Sequence, residues 1–390
     1  MTPLMEATIS KAPKYRQIHD ALKLAIVNGE YTRGARLPSE SELLRLFGAS
    51  RLTVNRALRE LQLGGFIERR AGSGSYVSEA PLQEGFTFGL LIPGLGNTEI
   101  FEPVCRGMAE VQLPEHHALL WGKSPDDAES VEQMAQDWCR QWQARKVSGV
   151  FFAPLEHMAQ KNVVNGRIAE HFRTAGIPAV LIDRDFLDFP HRSNYDLVSI
   201  DNRRAAFVLT QHLLATGCKR VVFLSRVWPA PSCIARAFGY REALLAANIE
   251  VKPEYTRHVE PSEEFSIRRV IEELRPDGII CSNDYLAAHV MRVIQSMSLG
   301  VPDDIKLAGF DDVKYASLLP VPLTTIRQPC YEIGASAISV MIQRFLNPNR
   351  PARDVLLNFE LMVRASSVGV AAARRETADA PAEPVPALLA

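Results

Sequence analysis

Long apolar runs are missing from this chain of 390 residues. No stretch of about eighteen consecutive apolar positions occurs, so nothing reads as a membrane-spanning helix. The opening MTPLMEATISK lacks the apolar core of a secretory leader, and the expectation is a protein kept in the cytoplasm, with no membrane partner. Cysteine is sparse: Cys105, Cys139, Cys218, Cys233, Cys281 and Cys330 are widely spaced and none forms a C-x-x-C pair. That spacing argues against structural zinc and against a disulfide framework, and predicts reduced, mostly buried thiols with no metal site. Lysines are few beyond Ala80 and none sits in a phosphate-binding setting, which counts against a pyridoxal-phosphate enzyme; no cofactor is expected. A net charge of one sign is also lacking, the formal total being −1. The charge is uneven, however: residues 1–80 carry +4 and the remaining 310 about −5. A basic module on an acidic body fits a chain of which one part meets phosphate and the other does something else.

The basic module is organised around Leu37 to Val77. Ser39 can cap a short helix, with Glu42 three residues on completing a capping box, and Gly48 ends it. Ser50 can cap a second helix, on which Val54, Ala57, Leu58 and Leu61 share one stripe. Arg51, Thr53, Asn55, Arg56 and Arg59 occupy the opposite face. Gly64-Gly65 stops this helix, and Phe66 to Arg70 can pair with Ser73 to Val77 across a turn at Ala71-Gly72. Upstream, Lys14 to Asn28 is amphipathic through Tyr15, Ile18, Leu22, Ala25 and Ile26 and should pack beneath the pair. The composite is a winged helix-turn-helix, whose second helix offers its N-terminal side chains to base edges while the wing reaches the neighbouring groove.

At these residues the chain resembles the DNA-binding domain of GntR-type bacterial transcription regulators. The resemblance rests on Leu37 to Glu40, Ser50 to Val54, Ala57 to Leu61, Gly65 to Ile67 and the wing-tip Gly72. Many members carry Arg where this chain has Asn55. Asn favours adenine through its amide and Arg favours guanine, so a different base is expected there. Arg51, Thr53 and Asn55 are the candidate base readers, and Arg56, Arg59 and Arg70 the candidate phosphate anchors.

Beyond a short polar linker the pattern changes. FGLLI, HALLW, GVFFA, AVLID, LVSID, RVVFL, GIICS and KLAGF read as buried parallel strands alternating with amphipathic stretches. Right-handed crossovers give an open doubly wound α/β sheet, and about 280 residues is too much for one such sheet, so two lobes with a cleft are expected. The expected domains are a winged helix-turn-helix at 1–78, a linker at 79–85, a two-lobed α/β effector domain at 86–370 and a disordered tail at 371–390, rich in Ala, Pro and charge.

The second part resembles the ligand-binding core of LacI-type repressors and the periplasmic sugar-binding proteins. The pieces are Ile182 to Arg184, Val198 to Asn202, His212 to Gly217, Arg236 with Gly239-Tyr240, Ser282 to Asp284, Gly309 to Asp312 and Pro322 to Ile326, then Leu361 to Ser367. The resemblance implies crossings between lobes near Asp183 to Asp185, near Thr325 to Gln328, and before the final strand. Ligands of doubly wound sheets sit beyond the strands' carboxyl ends, and Arg184, Asn283 and Asp311 each follow such a strand. Asp, Asn and Arg together match the paired donors and acceptors of sugar hydroxyls. By resemblance, Arg236, Asn283, Asp311 and Ser232 fall where this family holds its effector. Phe265, Phe101 and Trp228 are candidates to cover an apolar sugar face, with core packing the default for the last two. Asp201, Asp284 and Asp312 are as readily helix caps as ligands.

The combination resembles the arabinose-repressor type. It implies a sequence-specific repressor, homodimeric on a palindromic double-stranded DNA operator, with the first-lobe helices, Phe101 to Leu113 among them, at the interface. A sugar effector is expected, with a purine as the alternative. A GntR-type domain fused to an aminotransferase and a periplasmic solute-binding protein are the competing classes, disfavoured by the absent Schiff-base lysine and the absent leader.

Overall fold

The computed structural model describes residues 13–27, 30–32, 34–63, 65–70, 72–78, 85–92, 100–113, 117–121 and 128–368. The tail expected at 371–390 and nearly all of the linker expected at 79–85 lie outside the described residues. Three helices, α1 (Lys14–Val27), α2 (Glu40–Phe47) and α3 (Arg51–Leu63), precede a hairpin of β1 (Ile67–Arg70) and β2 (Gly74–Val77). The capping box forms as expected: Ser39 accepts from the Glu42 amide, and the Glu42 carboxylate accepts from Ser39 N at 2.7 Å. Gly48 closes α2 in the left-handed region, at φ 54°. Ser50 Oγ accepts from the Thr53 amide at the start of α3. Ile18, Leu22, Leu43, Val54, Leu58, Leu61 and Phe66 form one apolar centre, so α1 does lie beneath the helix pair. The chain before α2 adds an edge to the wing that sequence patterning does not show: Arg36 bridges Tyr76, and Leu37 N donates to Ser75 O.

The remainder forms two six-stranded sheets. The first lobe contains β3 (Phe86–Leu91), β4 (His117–Trp121), β5 (Gly149–Phe152), β6 (Ala179–Ile182), β7 (Asp196–Ile200) and, from far along the chain, β13 (Asp354–Leu357). Its order is β4-β3-β5-β6-β7-β13, parallel throughout. The second lobe contains β8 (Val221–Ser225), β9 (Thr256–His258), β10 (Gly278–Cys281), β11 (Lys306–Asp311), β12 (Thr324–Arg327) and β14 (Glu360–Met362). Here the order is β9-β8-β10-β11-β12-β14, with only β14 antiparallel. All eight apolar runs are strands. The short β9, β12, β13 and β14 carry too few consecutive apolar residues to stand out.

Alternate residues of each strand face opposite layers, which is why the runs are unbroken. In the first lobe, Phe88, Phe151 and Val180 meet α4 (Phe101–Glu110) and α11 (Cys330–Leu346). Leu91, Val150 and Leu181 meet α5 (Ala128–Ala144) and α6 (Lys161–Thr174). In the second, Phe223, Ile280 and Phe310 face α7 (Asn202–Ala215) and α8 (Pro231–Ala246), whereas Val222, Ile279 and Leu307 face α9 (Glu264–Leu274) and α10 (Asp284–Ser296). Glycine allows two helix pairs to meet backbone to backbone. A Cβ on Gly334 of α11 would lie 1.9 Å from Val104 O of α4, and one on Gly239 of α8 equally close to Arg203 O of α7.

Three crossings join the lobes. Two fall where expected, after Arg327 and between β13 and β14. The first does not: β7 pairs with β6 in the same sheet, so the chain leaves the first lobe at Asp201, not at Asp183 to Asp185. The stretch after Asp183 is instead a loop returning to the start of β7.

Candidate functional site

On the winged helix, α3 turns its core stripe inward and leaves Arg51, Asn55, Arg56 and Arg59 on the outer side. Arg51 is 81% exposed and lies 3.7 Å from Glu40. Asn55 is half-buried and less free than expected. Its Oδ1 accepts from Arg69 Nη2 at 2.9 Å, its Nδ2 lies 3.4 Å from Glu40, and Arg69 also pairs with Glu40 at 2.6 Å. This cluster ties the outer face of α3 to α2 and the wing. The Thr53 hydroxyl is engaged with Ser50 at 2.8 Å. Arg56 stacks 3.6 Å over Tyr15 and pairs with Glu60, while Arg70 lies over Tyr76 at 4.7 Å; both keep exposed guanidinium edges. Gly72 forms the wing tip at φ 73°, where a side chain would be strained.

The second site lies between the lobes, where Asp183 and Ser282 follow strands of the two sheets and Asp311 ends one. Arg236, on the first half of α8, is 4% exposed. Its Nε donates to Asn202 Oδ1 at 2.8 Å, its Nη1 to Ser282 O at 2.5 Å, and its Nη2 lies 3.7 Å from Asp311. Phe310 supports the guanidinium from 4.4 Å. Gln328 donates to Asp311 Oδ1 at 2.7 Å. Across the cleft, Arg184 spends its fork within the first lobe: on Glu156 at 3.1 Å, on Asp183 at 2.7 Å and on Pro154 O at 2.9 Å. Rather than offering a free donor fork at the strand edge, Arg184 holds Glu156 and Asp183 in place.

Burial raises the Asp311 carboxyl to about 6 despite the Arg236 charge beside it. Burial also acts against ionisation of Glu156, but Arg184 and the neighbouring cations outweigh it and hold Glu156 below its ordinary value. The two carboxyls thus differ in character: Glu156 is a fixed anion, while Asp311 lacks enough donors for its charge. Among the described residues, Arg226 Nε is buried with no hydrogen-bond partner. Backbone strain gathers here too, with Asp183 at φ 71°, Trp228 at 49° and Asp311 at 111°. A cavity of about 560 Å³ neighbours this cluster, lined in part by Asp183, Arg184, Asn202, Ser232 and Phe238, whereas Arg236, Asp311 and Gln328 do not line it.

The other expected residues divide. Ser232 is buried on that cavity wall. Asn283 caps α10, its Oδ1 accepting from the Leu286 amide at 2.9 Å, so only its amide nitrogen remains to donate. Phe265 is 76% exposed in the first turn of α9, whereas Phe101 is sealed in the first-lobe core. Trp228 is half-exposed beside Lys161. Asp201 caps α7, and Asp284 and Asp312 are spent internally, on Thr325 and on Arg327 with Arg364. Glu156 and Gln328 are additions. Gln328 directly follows β12, a position the strand-end rule covers; Glu156 sits in a loop with no sequence signal.

Residues 14–77 match the bacterial regulatory proteins of the gntR family, and residues 210–367 match the periplasmic binding protein-like domain. The chain joins a GntR-type winged helix to a periplasmic-binding-protein-like domain. The chain is 29% identical over 369 residues to the arabinose metabolism transcriptional repressor of Geobacillus stearothermophilus, covering 91% of this chain and 98% of that protein. It is 25% identical over 291 residues to the ribose operon repressor of Escherichia coli strain K12, covering 73% and 83%. A LacI family transcriptional regulator from Enterococcus faecium, solved with bound ribose, shares the two-lobed fold. Its TM-score is 0.58 at 20% identity, over 73% of this chain and 99% of that one.

Proposed function

We propose that this protein is a transcriptional repressor that grips a palindromic operator as a homodimer and releases it when a sugar closes the interlobe cleft. The observation that carries the reading is the Arg236, Asp311 and Gln328 cluster. It is a buried array of donors and acceptors at the junction of two lobes, in the same chain as a basic winged helix. Vicinal hydroxyls can donate to Asp311 and accept from Gln328 and Arg236 together, supplying what the under-donated Asp311 carboxylate lacks. Two relatives named for arabinose and ribose, the first matched over 91% of this chain and the second over 73%, support a pentose or related sugar. The GntR-type domain supports DNA as the partner, and work on bacterial DNA supports a cytoplasmic location. The described residues of the cleft offer hydrogen-bond donors and acceptors suited to holding a ligand, and binding rather than turnover is the reading.

A ligand that favours the closed cleft shifts the angle between lobes and moves the two recognition helices out of register with their half-sites. Coupling of about 1 to 3 kcal/mol, roughly five- to 150-fold in operator affinity, suffices. A thermal-shift screen over pentoses, hexoses, sugar phosphates and purines, followed by operator binding with the best compound, tests this. The expected result is stabilisation by a neutral sugar, lost in Asp311→Ala, with weaker operator binding. Stabilisation by purines alone would overturn the sugar, and tighter DNA binding with ligand would overturn release.

A further inference from the structure

The outer face of α3 has an apolar centre. Leu52 is 84% exposed, the most exposed of the large apolar residues described. At 100° per residue, Leu52 points almost opposite the buried Val54 and Leu61, with Asn55, Arg59 and Arg56 flanking it. It therefore projects from the middle of the basic face, one residue into the helix. In a winged helix the first turn of this helix is the part that reaches base edges. The polar neighbours are engaged elsewhere: Thr53 with Ser50, and Asn55 with Arg69 and Glu40.

We propose that Leu52 reads thymine in each operator half-site by packing on its C5-methyl group. The inference rests on the DNA-binding reading and deepens it. Of the groups displayed in the major groove, only that methyl is apolar, so an isobutyl side chain surrounded by guanidinium groups has one favourable partner there. Arg59 and Arg56 flank the contact and exclude water from it by gripping the adjoining backbone. The expected adenine preference of Asn55 would require it to leave Arg69 and Glu40. The Leu52 contact requires no rearrangement.

The test replaces thymine by uracil, which keeps every pairing and groove hydrogen bond and removes only the methyl. An operator is first selected from random duplex DNA with the full chain, then remade with uracil at one thymine at a time. Loss of a methyl contact is worth about 0.8 kcal/mol, or roughly fourfold in affinity for each half-site. One symmetry-related thymine position should show that loss with the parent protein and none with Leu52→Ala, while Leu52→Met keeps it. Leu52 is a surface residue, so effector-induced stabilisation should be unchanged in both variants. Uracil costing the same in parent and Leu52→Ala at every position, or Leu52→Ala binding the operator undiminished, would overturn the proposal. Failure to select any sequence would instead overturn the DNA-binding reading, and this inference with it.

Discussion

Asp311 sits at the end of β11 in a left-handed conformation that an L-residue adopts only under constraint, and burial lifts its carboxyl to about 6. A carboxyl whose folded value lies above its unfolded value near 4 binds a proton more readily in the folded state. Stability therefore rises as pH falls from about 6 towards 4, and the ionised form is a cost above that window. Asp311→Asn should raise the melting temperature of the ligand-free protein at pH 7.5, the gain shrinking towards zero by pH 4, followed by scanning calorimetry. Sugar hydroxyls donate to the ionised form, so effector affinity should instead weaken as pH drops below about 6. Calorimetric titration at pH 5 and pH 7.5 reads this directly, and equal affinities would remove Asp311 from the contact. Arg236 and Asp311 both fall within motif pieces of the sequence, and the structure brings them within 3.7 Å of each other. What Arg184 and Asn283 do could not be read. An Arg at a strand edge looks alike whether its fork is free or already held by Glu156 and Asp183, and the capping role of Asn283 depends on a backbone turn.

Among the secondary-structure elements, the helix crossings are the least tolerant features. Gly334 could in principle be improved, since Ala is a better helix former by about 1 kcal/mol. The Val104 carbonyl forbids it, because a Cβ 1.9 Å away must push two helices apart. Gly334→Ala is expected to cost about 2 to 3 kcal/mol. Gly166 in α6 makes the matched control: nothing lies within 4 Å of a Cβ there, and Gly166→Ala should stabilise by up to about 1 kcal/mol. Denaturant melts of both variants check the pair, and a neutral Gly334→Ala would mean the crossing relaxes. Strands were legible wherever an apolar run is buried on both faces, as at GVFFA and GIICS. They were hidden where pairing alone makes the strand, as at Asp354–Leu357, whose residues are half-exposed or exposed. The misplaced first crossing has the same origin. Asp183 follows a strand and precedes a polar stretch, and only the pairing of β7 with β6 shows that the lobe continues.

For the whole molecule, two activities on separate modules predict separable loss. Arg51→Ala should abolish specific operator binding yet leave sugar-induced stabilisation intact. Asp311→Ala should keep operator binding and lose the response to sugar. Mobility shift and thermal shift on both proteins check this, and joint loss in either variant would mean that the modules fold as one unit. If the operator carries two half-sites about one helical turn apart, inserting half a turn between them should abolish tight binding.

The lobes are pinned at Asp201, Gln328 and Asn358, each a passage of one or two residues with no slack. Three taut pins leave one easy motion, a swing about a common axis. Sugars of different shape that achieve the same swing would be indistinguishable to the DNA end, differing only in the dose at which they act. Discrimination among them must therefore be settled in the cleft, since nothing downstream can correct it.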